Sequence, residues 1–159
     1  MSDFKPKKSV ALSGVVAGNT AICTVGRNGN DLNYRGYDIA DLAKHCKFEE
    51  VAFLLIYGHL PNQIELDGYL KKLKTLRDLP PQVRTVLEQL PATTHPMDVL
   101  RTGVSALGTI EPEHDGHSAI GAQAIADRLI SATPSMLCYW YHFANNGVRI
   151  ECSTKTESI

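Results

Sequence analysis

The chain has 159 residues, of which 43% are hydrophobic and 21% charged, and its formal net charge is −1. A chain of this length and composition is long enough to bury a substantial apolar core as a single domain. Because its positive and negative charges nearly cancel, we expect neither a nucleic acid nor a membrane surface as a partner.

The start of the chain and its cysteines both favour a cytoplasmic location. Met1 to Pro6 contains no apolar run of the kind found in secretory signals. The most apolar helical stretch, Val51 to Tyr57, is far shorter than the ~20 residues that a membrane-spanning helix needs. No two cysteines have C-x-x-C spacing, so we expect free thiols in a reducing compartment. The four are Cys23, Cys46, Cys138 and Cys152.

The first part of the chain predicts an arm followed by a small β-structure. Residues 1–19 are assigned to a solvated N-terminal arm. Residues 20–25 are rich in β-branched side chains, and the glycines and asparagines after them are typical of turns. A second extended stretch begins at Leu32. This order predicts a β-hairpin over residues 20–37.

Residues 38–147 are assigned to a helical domain, because apolar residues recur there at helical spacing. Asp38 is expected to cap a short first helix. The second helix, Phe48 to Tyr57, is mostly apolar, so we expect it to be buried on most sides. Gly58 suits the left-handed C-terminal cap of that helix.

Caps and prolines predict the next two helices. Asn62 and Glu65 have the spacing of a capping box. The helix that they begin is expected to turn an apolar stripe towards the core, made of Ile64, Leu66, Tyr69, Leu70, Leu73 and Leu76. Pro80-Pro81 begins the following helix. Its apolar stripe is Val83, Val86, Leu87 and Leu90.

Two longer helices complete the helical region. Thr94 is expected to cap a helix from Pro96 to about Leu107. Small residues on it should let another helix approach closely: Gly103, Ser105, Ala106 and Gly108. The last helix, Ser118 to Asn145, contains Pro134, which should kink or interrupt it. Residues 148–159 are assigned to a polar tail. The fold class is therefore mainly α with a small β appendage.

Several motifs could carry chemistry, but a structural interpretation is favoured for each. Glu113 to His117 contains two histidines and two carboxylates that could hold a metal, yet no further Cys or His lies at a useful spacing, which favours a solvated loop. His45 and Cys46 are sequence neighbours on a helix, so they point about 100° apart, which disfavours an activated thiol. Core packing is favoured for Cys46.

Three other segments have both a functional and a structural interpretation. Gly103 to Gly108 superficially resembles a nucleophile elbow, but its spacing is wrong and close helix packing explains it better. Tyr139 to Phe143 could stack on an adenine, although core packing is favoured. His95 lies at a helix start, where the dipole favours a neutral, hydrogen-bonding imidazole, and a structural role is favoured over direct contact with a substrate. No nucleotide-binding motif is present.

Ordered motifs along the chain resemble a known family. Tyr34-Arg35-Gly36-Tyr37-Asp38-Ile39 is followed by Phe48 to Leu55, by Tyr57-Gly58-x-Leu60-Pro61 and later by His95-Pro96-Met97. In this order they resemble the N-terminal part of the citrate synthase superfamily, over nearly the whole chain. Three features resemble its 2-methylcitrate synthase branch: Lys5 to Val15, Val25-Gly26 and Tyr139-Trp140-Tyr141-His142.

The resemblance implies that residues 38–147 are the N-terminal portion of the large helical domain of a homodimer, with the helix from Pro96 at a subunit interface. It implies condensation of propionyl-CoA or acetyl-CoA with oxaloacetate, in propionate catabolism or the tricarboxylic acid cycle. No cofactor is expected, since acyl-CoA is a substrate. The family's catalytic histidines and aspartate lie in motifs beyond position 159. We therefore assign no catalytic, substrate-binding or metal residue here.

Two hypotheses about function remain open at this point. In the first, the chain is the N-terminal part of an acyl-CoA:oxaloacetate acyltransferase and is inactive alone. In the second, it is a non-catalytic helical assembly module that has kept the family's dimerisation surface.

Overall fold

The computed structural model describes residues 18–26, 31–111 and 119–154. These ranges contain three short strands and six helices: β1 (Cys23–Val25), β2 (Leu32–Tyr34), β3 (Tyr37–Asp38), α1 (Ile39–His45), α2 (Phe48–Tyr57), α3 (Gln63–Thr75), α4 (Pro81–Glu88), α5 (Pro96–Ile110) and α6 (Ala119–Asn146). The predicted fold class, mainly α with a small β-hairpin, is confirmed. None of these helices is apolar enough over a sufficient length to cross a bilayer.

The small sheet has the antiparallel order β1-β2-β3, and its third strand was not predicted. Strand β2 turns into β3 through two residues with positive φ, Arg35 at 50° and Gly36 at 90°. Such a two-residue turn matches the natural twist of paired strands, and glycine tolerates the positive φ without steric cost. Asp38 is both the last residue of β3 and the N-terminal cap of α1. Its Oδ1 accepts a hydrogen bond of 2.8 Å from the Ala40 N–H.

The local signals around α2 and α3 are confirmed. Helix α2 has the predicted bounds and ends at Gly58, whose φ is 94°. At the start of α3, the Asn62 side chain accepts from the Glu65 N–H at 3.0 Å, and the Glu65 side chain accepts from the Asn62 N–H at 2.8 Å. Two backbone N–H groups that have no carbonyl partner within the helix are thus hydrogen-bonded to side chains.

The start of α5 differs from the prediction, because the capping residue is His95 and not Thr94. His95 Nδ1 accepts a hydrogen bond of 3.2 Å from the Met97 N–H. A proline disfavours the α-helical backbone conformation for the residue that precedes it. Pro96 occupies the first helical position of α5. The residue before Pro96 is therefore the cap.

Helix α6 runs through Pro134 as one helix, so the possible interruption does not occur. Pro134 lies on the exposed side of the helix. Its neighbours Ala132 and Met136 are both 0% exposed, and their packing holds the two halves of the helix in one core. Tertiary packing outweighs the cost of a missing N–H in this helix.

Most of the buried apolar side chains among the described residues fall into two clusters. The large cluster lies between α4, α5 and α6, and its members are Leu79, Val83, Leu87, Val99, Leu107, Ala132, Met136, Tyr139, Trp140 and Cys152. The small cluster lies between α2 and α3, with Ile130 of α6 packed against it, and consists of Ala52, Phe53, Tyr69 and Leu73.

Of two expectations about apolar faces, the burial of Ile64 is wrong and the burial of α2 is confirmed. Ile64 is 84% exposed, because it lies in the first turn of α3 on the side away from the small cluster. The expectation that α2 is buried on most sides is confirmed, because every residue of the helix after Phe48 is buried or half-buried, while Phe48 at its first position is 59% exposed. Helical periodicity identifies the apolar face of a helix, but a side chain on that face is buried only where another element of the fold packs against it.

Gly103 makes the close helix contact that small residues predicted, but the contact lies within the chain. A Cβ atom at Gly103 would lie 2.9 Å from Met136 Sδ and 3.4 Å from Leu87 Cδ2. Gly103 therefore lets α5 approach α4 and α6. Ser105 and Gly108 lie on the exposed side of the same helix, and a Cβ at Gly108 would meet nothing within 4 Å.

The proposed division into arm, hairpin, helical domain and tail stays a prediction, although part of the tail has a defined place. Residues 148–154 lie against the helical body, where Cys152 is 4% exposed. The metal-capable segment Glu113 to His117 and most of the arm lie outside the described residues.

Candidate functional site: a buried carboxylate between three helices

Asp127 of α6 is the most enclosed ionisable side chain among the described residues, at 0% exposure. Its Oδ2 accepts hydrogen bonds of 2.5 Å from the Tyr57 hydroxyl and 2.5 Å from Lys72 Nζ. Its Oδ1 accepts one of 3.0 Å from the Tyr69 hydroxyl. One carboxylate thus joins the end of α2 and the middle of α3 to α6, and we call these four residues the Asp127 cluster.

Aromatic rings close this cluster from one side. Phe53 stacks on Tyr57 with ring centroids 4.5 Å apart and meets Tyr69 edge-on at 5.2 Å. Lys72 Nζ lies 5.8 Å from the Tyr57 ring centroid and donates to the Tyr57 hydroxyl at 3.1 Å. The charged ammonium is therefore surrounded by a carboxylate, a hydroxyl and a ring face, while 44% of the Lys72 side chain remains exposed.

The electrostatics of the Asp127 cluster favour a structural role over proton transfer. Burial and the neighbouring Asp127 raise the pKa of Tyr69, and burial with the Asp127 hydrogen bond raises that of Tyr57. Desolvation lowers the pKa of Lys72, but its hydrogen bonds to Asp127 and Tyr57 outweigh that effect and raise it. At neutral pH the tyrosines stay protonated and the lysine stays charged, so none of the three is poised as a general base.

A second carboxylate cluster lies at the end of α4. Glu88 Oε1 accepts from the Tyr139 hydroxyl at 2.6 Å, and the Arg149 guanidinium donates to both Glu88 oxygens at 2.7 and 2.9 Å. The hydrogen bonds from Arg149 and Tyr139 lower the pKa of Glu88 to about 2. The adjacent Trp140 Nε1–H donates to the Leu90 carbonyl at 3.3 Å. The core packing favoured for Tyr139 to Phe143 thus holds for Tyr139 and Trp140, which are buried with polar partners, whereas Tyr141 and His142 are exposed.

Arg128 links three separate segments beside a shallow cavity of about 420 Å³. Its guanidinium donates to the Leu76 and Asp78 carbonyls and forms a two-point ion pair with Glu111. Because these partners occupy its donors, Arg128 braces the linker between α3 and α4 and is not positioned to hold an anion.

The other residues singled out in the sequence do not come together into a site. His45 is the last residue of α1 and is exposed, while Cys46 caps that helix and is only half-buried. Burial and the nearby Glu50 raise the pKa of the Cys46 thiol, which disfavours the thiolate. His95 is engaged as a cap. Residues 31–111 and 119–154 hold no group of three or more potential metal ligands.

Sequence reasoning missed Asp127, Lys72, Glu88 and Arg128. One signal was available: Asp127-Arg128 is a charged pair inside an otherwise uncharged helix, and a charge on a packed helix is seldom unpaired. The partners were not predictable locally, because Tyr57 and Lys72 lie 70 and 55 residues away.

Comparison with known proteins is consistent with this arrangement of helices. A family model described as the citrate synthase C-terminal domain matches residues 11–159. The chain is 50% identical over 159 residues to a 2-methylcitrate synthase of Shewanella oneidensis. The aligned region covers all of this chain and 42% of that protein. A 2-methylcitrate synthase of Mycobacterium tuberculosis is 39% identical over 135 residues, covering 85% of this chain and 34% of that protein.

The solved structures give the same result for the fold. The crystal structure of citrate synthase from Pyrobaculum aerophilum matches with a TM-score of 0.72 and 30% identity, over 84% of this chain and 35% of that chain. The chain spans less than half the length of each of these three relatives. The chain belongs to the citrate synthase family.

Proposed function

We propose that this chain forms the N-terminal helical part of an enzyme that condenses propionyl-CoA, or acetyl-CoA, with oxaloacetate to give 2-methylcitrate or citrate. The observation that carries the proposal is the 50% identity, sustained over all 159 residues, to a 2-methylcitrate synthase. A second relative of that name at 39% identity favours propionyl-CoA over acetyl-CoA as the preferred substrate. Acyl-CoA is then a substrate, and no further cofactor is needed.

The geometry supports a structural role for this chain within such an enzyme. In the described residues, the two clusters where carboxylates meet hydroxyls are centred on Asp127 and Glu88, and both join helices to their neighbours. Neither leaves a base beside an open substrate cavity. The catalytic groups therefore come from other segments of the enzyme, which this scaffold positions.

We also propose that the working unit is a homo-oligomer in the cytoplasm. The outward side of α5 carries Met97 at 65% exposure, together with the small residues Ser105 and Gly108. On the neighbouring α6, Tyr141 is 55% exposed. Exposed apolar side chains next to small residues suit the close packing of a second copy. Four free cysteines agree with a reducing compartment.

A chimera tests the catalytic proposal. This chain would replace the matching 159-residue segment of the Shewanella oneidensis enzyme, and release of the CoA thiol would be followed with oxaloacetate and propionyl-CoA or acetyl-CoA. We expect turnover by the chimera, faster with propionyl-CoA. The Shewanella protein without that segment is the control and should be inactive.

The same experiment addresses the alternative hypothesis. A chimera that is folded and dimeric by light scattering, but releases no CoA, would contradict the catalytic proposal and favour a non-catalytic assembly module. Equal rates with both acyl-CoA substrates would contradict only the preference for propionyl-CoA.

A further inference from the structure

Residues 148–154, which we call the strap, run back along α4 after α6 ends at Asn146. The chain reverses at Gly147, whose φ is 65°. The direction follows from three contacts: Arg149 pairs with Glu88, Glu151 lies 3.9 Å from Arg84, and Thr154 accepts from Arg77 at 2.6 Å. Strap residue numbers rise while those of their partners fall, so the strap is antiparallel to α4.

Side chains attach the strap to the helical body. In its middle, Cys152 is 4% exposed and belongs to the large apolar cluster with Leu79 and Val83. Burial raises the pKa of the Cys152 thiol, so this cysteine behaves as a packed apolar residue while the strap is closed. The strap itself contains neither helix nor strand. Segments of this kind, held by few buried contacts, are among the first to open locally.

The strongest polar attachment is the pair between Glu88 and Arg149. The Glu88 side chain is only 13% exposed and is held in place by the hydrogen bond that the Tyr139 hydroxyl donates to it. The Arg149 guanidinium donates to both carboxylate oxygens and also lies 5.5 Å from the Phe143 ring centroid. The remaining charge that faces Glu88 is Arg84 of α4, which is itself paired with Asp78.

We propose that the strap opens and closes as a unit while the six helices stay folded, and that the pair between Glu88 and Arg149 sets its closed fraction. Closing buries Cys152 and directs the chain that leaves α6 along α4 to Arg77. Glu88 is then a positioning residue for the segment after α6. This inference does not depend on the proposed enzymatic function.

Cys152 provides a reporter of opening in the full chain. A variant in which Cys23, Cys46 and Cys138 are serine leaves a single thiol, and its reaction with a chromogenic disulfide reagent would be followed under native conditions. Far-ultraviolet circular dichroism records the helices in the same samples. The variants are Glu88→Gln, which keeps an acceptor for Tyr139, Arg149→Met, and both together.

We expect each single variant to accelerate the Cys152 reaction about tenfold, with unchanged helical signal, because one charge-assisted contact is lost. The double variant should react no faster than either single variant, since both remove the same pair. Added salt should accelerate the reaction in the parent chain and have a smaller effect in Glu88→Gln. Arg101→Met, which removes an arginine paired with Asp98 on α5, is the matched control and should change nothing.

Two results would overturn the proposal. In one, Cys152 reacts only at the rate of global unfolding, with the same denaturant dependence as the loss of helical signal. In the other, Glu88→Gln and Arg149→Met leave the reaction rate unchanged. Because the two variants alter different elements, a folding defect in one still leaves the other to decide.

Discussion

Among the described residues, the large cluster and the Asp127 cluster are held together by different interactions. Between α4, α5 and α6, apolar side chains such as Val83, Leu87 and Met136 are 0% exposed and pack closely against one another. Between α2, α3 and α6, aromatic rings close one side of a carboxylate that is paired with one lysine. Substitutions should therefore act through volume in the large cluster and through charge in the Asp127 cluster.

The largest effect should come from unbalancing the charge in the Asp127 cluster. Lys72→Met leaves a carboxylate at 0% exposure with only two hydroxyl donors, and we expect a loss of about 3 kcal/mol in the free energy of unfolding. Asp127→Asn should cost about 1 kcal/mol, because the amide oxygen still accepts a hydrogen bond and the lysine can turn to solvent. Urea unfolding midpoints would give both values. A larger loss for Asp127→Asn would contradict the idea that Lys72 neutralises the site.

A change of volume in the large cluster should have the next largest effect. Gly103→Leu places side-chain atoms where a Cβ already lies 2.9 Å from Met136 Sδ, and we expect a loss of about 2 kcal/mol. Gly108→Leu is the matched control, since that position on the same helix is open. In samples dilute enough to be monomeric, it should leave the thermal stability unchanged or slightly raised.

The same pair of variants separates packing within the chain from packing between copies. Measured by light scattering, Gly108→Leu should weaken self-association if the outward side of α5 is a subunit contact, while Gly103→Leu should act on stability. Equal thermal stability of the two variants would show that Gly103 is not a tight contact.

The smallest effect should appear only in acid, at the edge of the large cluster. Hydrogen bonds from Arg149 and Tyr139 lower the pKa of Glu88 from 4.5 to about 2 in the folded chain. Its stabilising contribution is therefore present above pH 4.5 and is lost as the pH falls towards 2. We expect the stability of the parent chain to fall more steeply across this range than that of Glu88→Gln. Parallel stability curves would contradict this assignment.

Local features of the fold were predictable from the sequence. The bounds of α2 follow from apolar spacing and from Gly58, and the capping box of Asn62 and Glu65 was visible as a pattern. The cap at His95 could also have been found, because the residue before Pro96 must be extended. These features depend on neighbours within a few residues.

The features that distinguish the two clusters were not predictable, because they depend on contacts between distant segments. Nothing near Asp127 in the sequence indicates Tyr57 or Lys72, and nothing near Glu88 indicates Arg149, which lies 61 residues away. Apolar spacing likewise could not show that Ile64 stays exposed while Cys152 of the predicted polar tail enters the core.

We propose that this chain is a scaffold whose clusters hold helices together, and that it performs no chemistry alone. The most direct test is release of the CoA thiol by the purified 159-residue chain with oxaloacetate and propionyl-CoA, with the chimera as the positive control. Circular dichroism and a cooperative melt would first establish that the chain is folded. We predict no release above the background without protein. Turnover by the chain that survives repeated purification and scales with its concentration would contradict the claim.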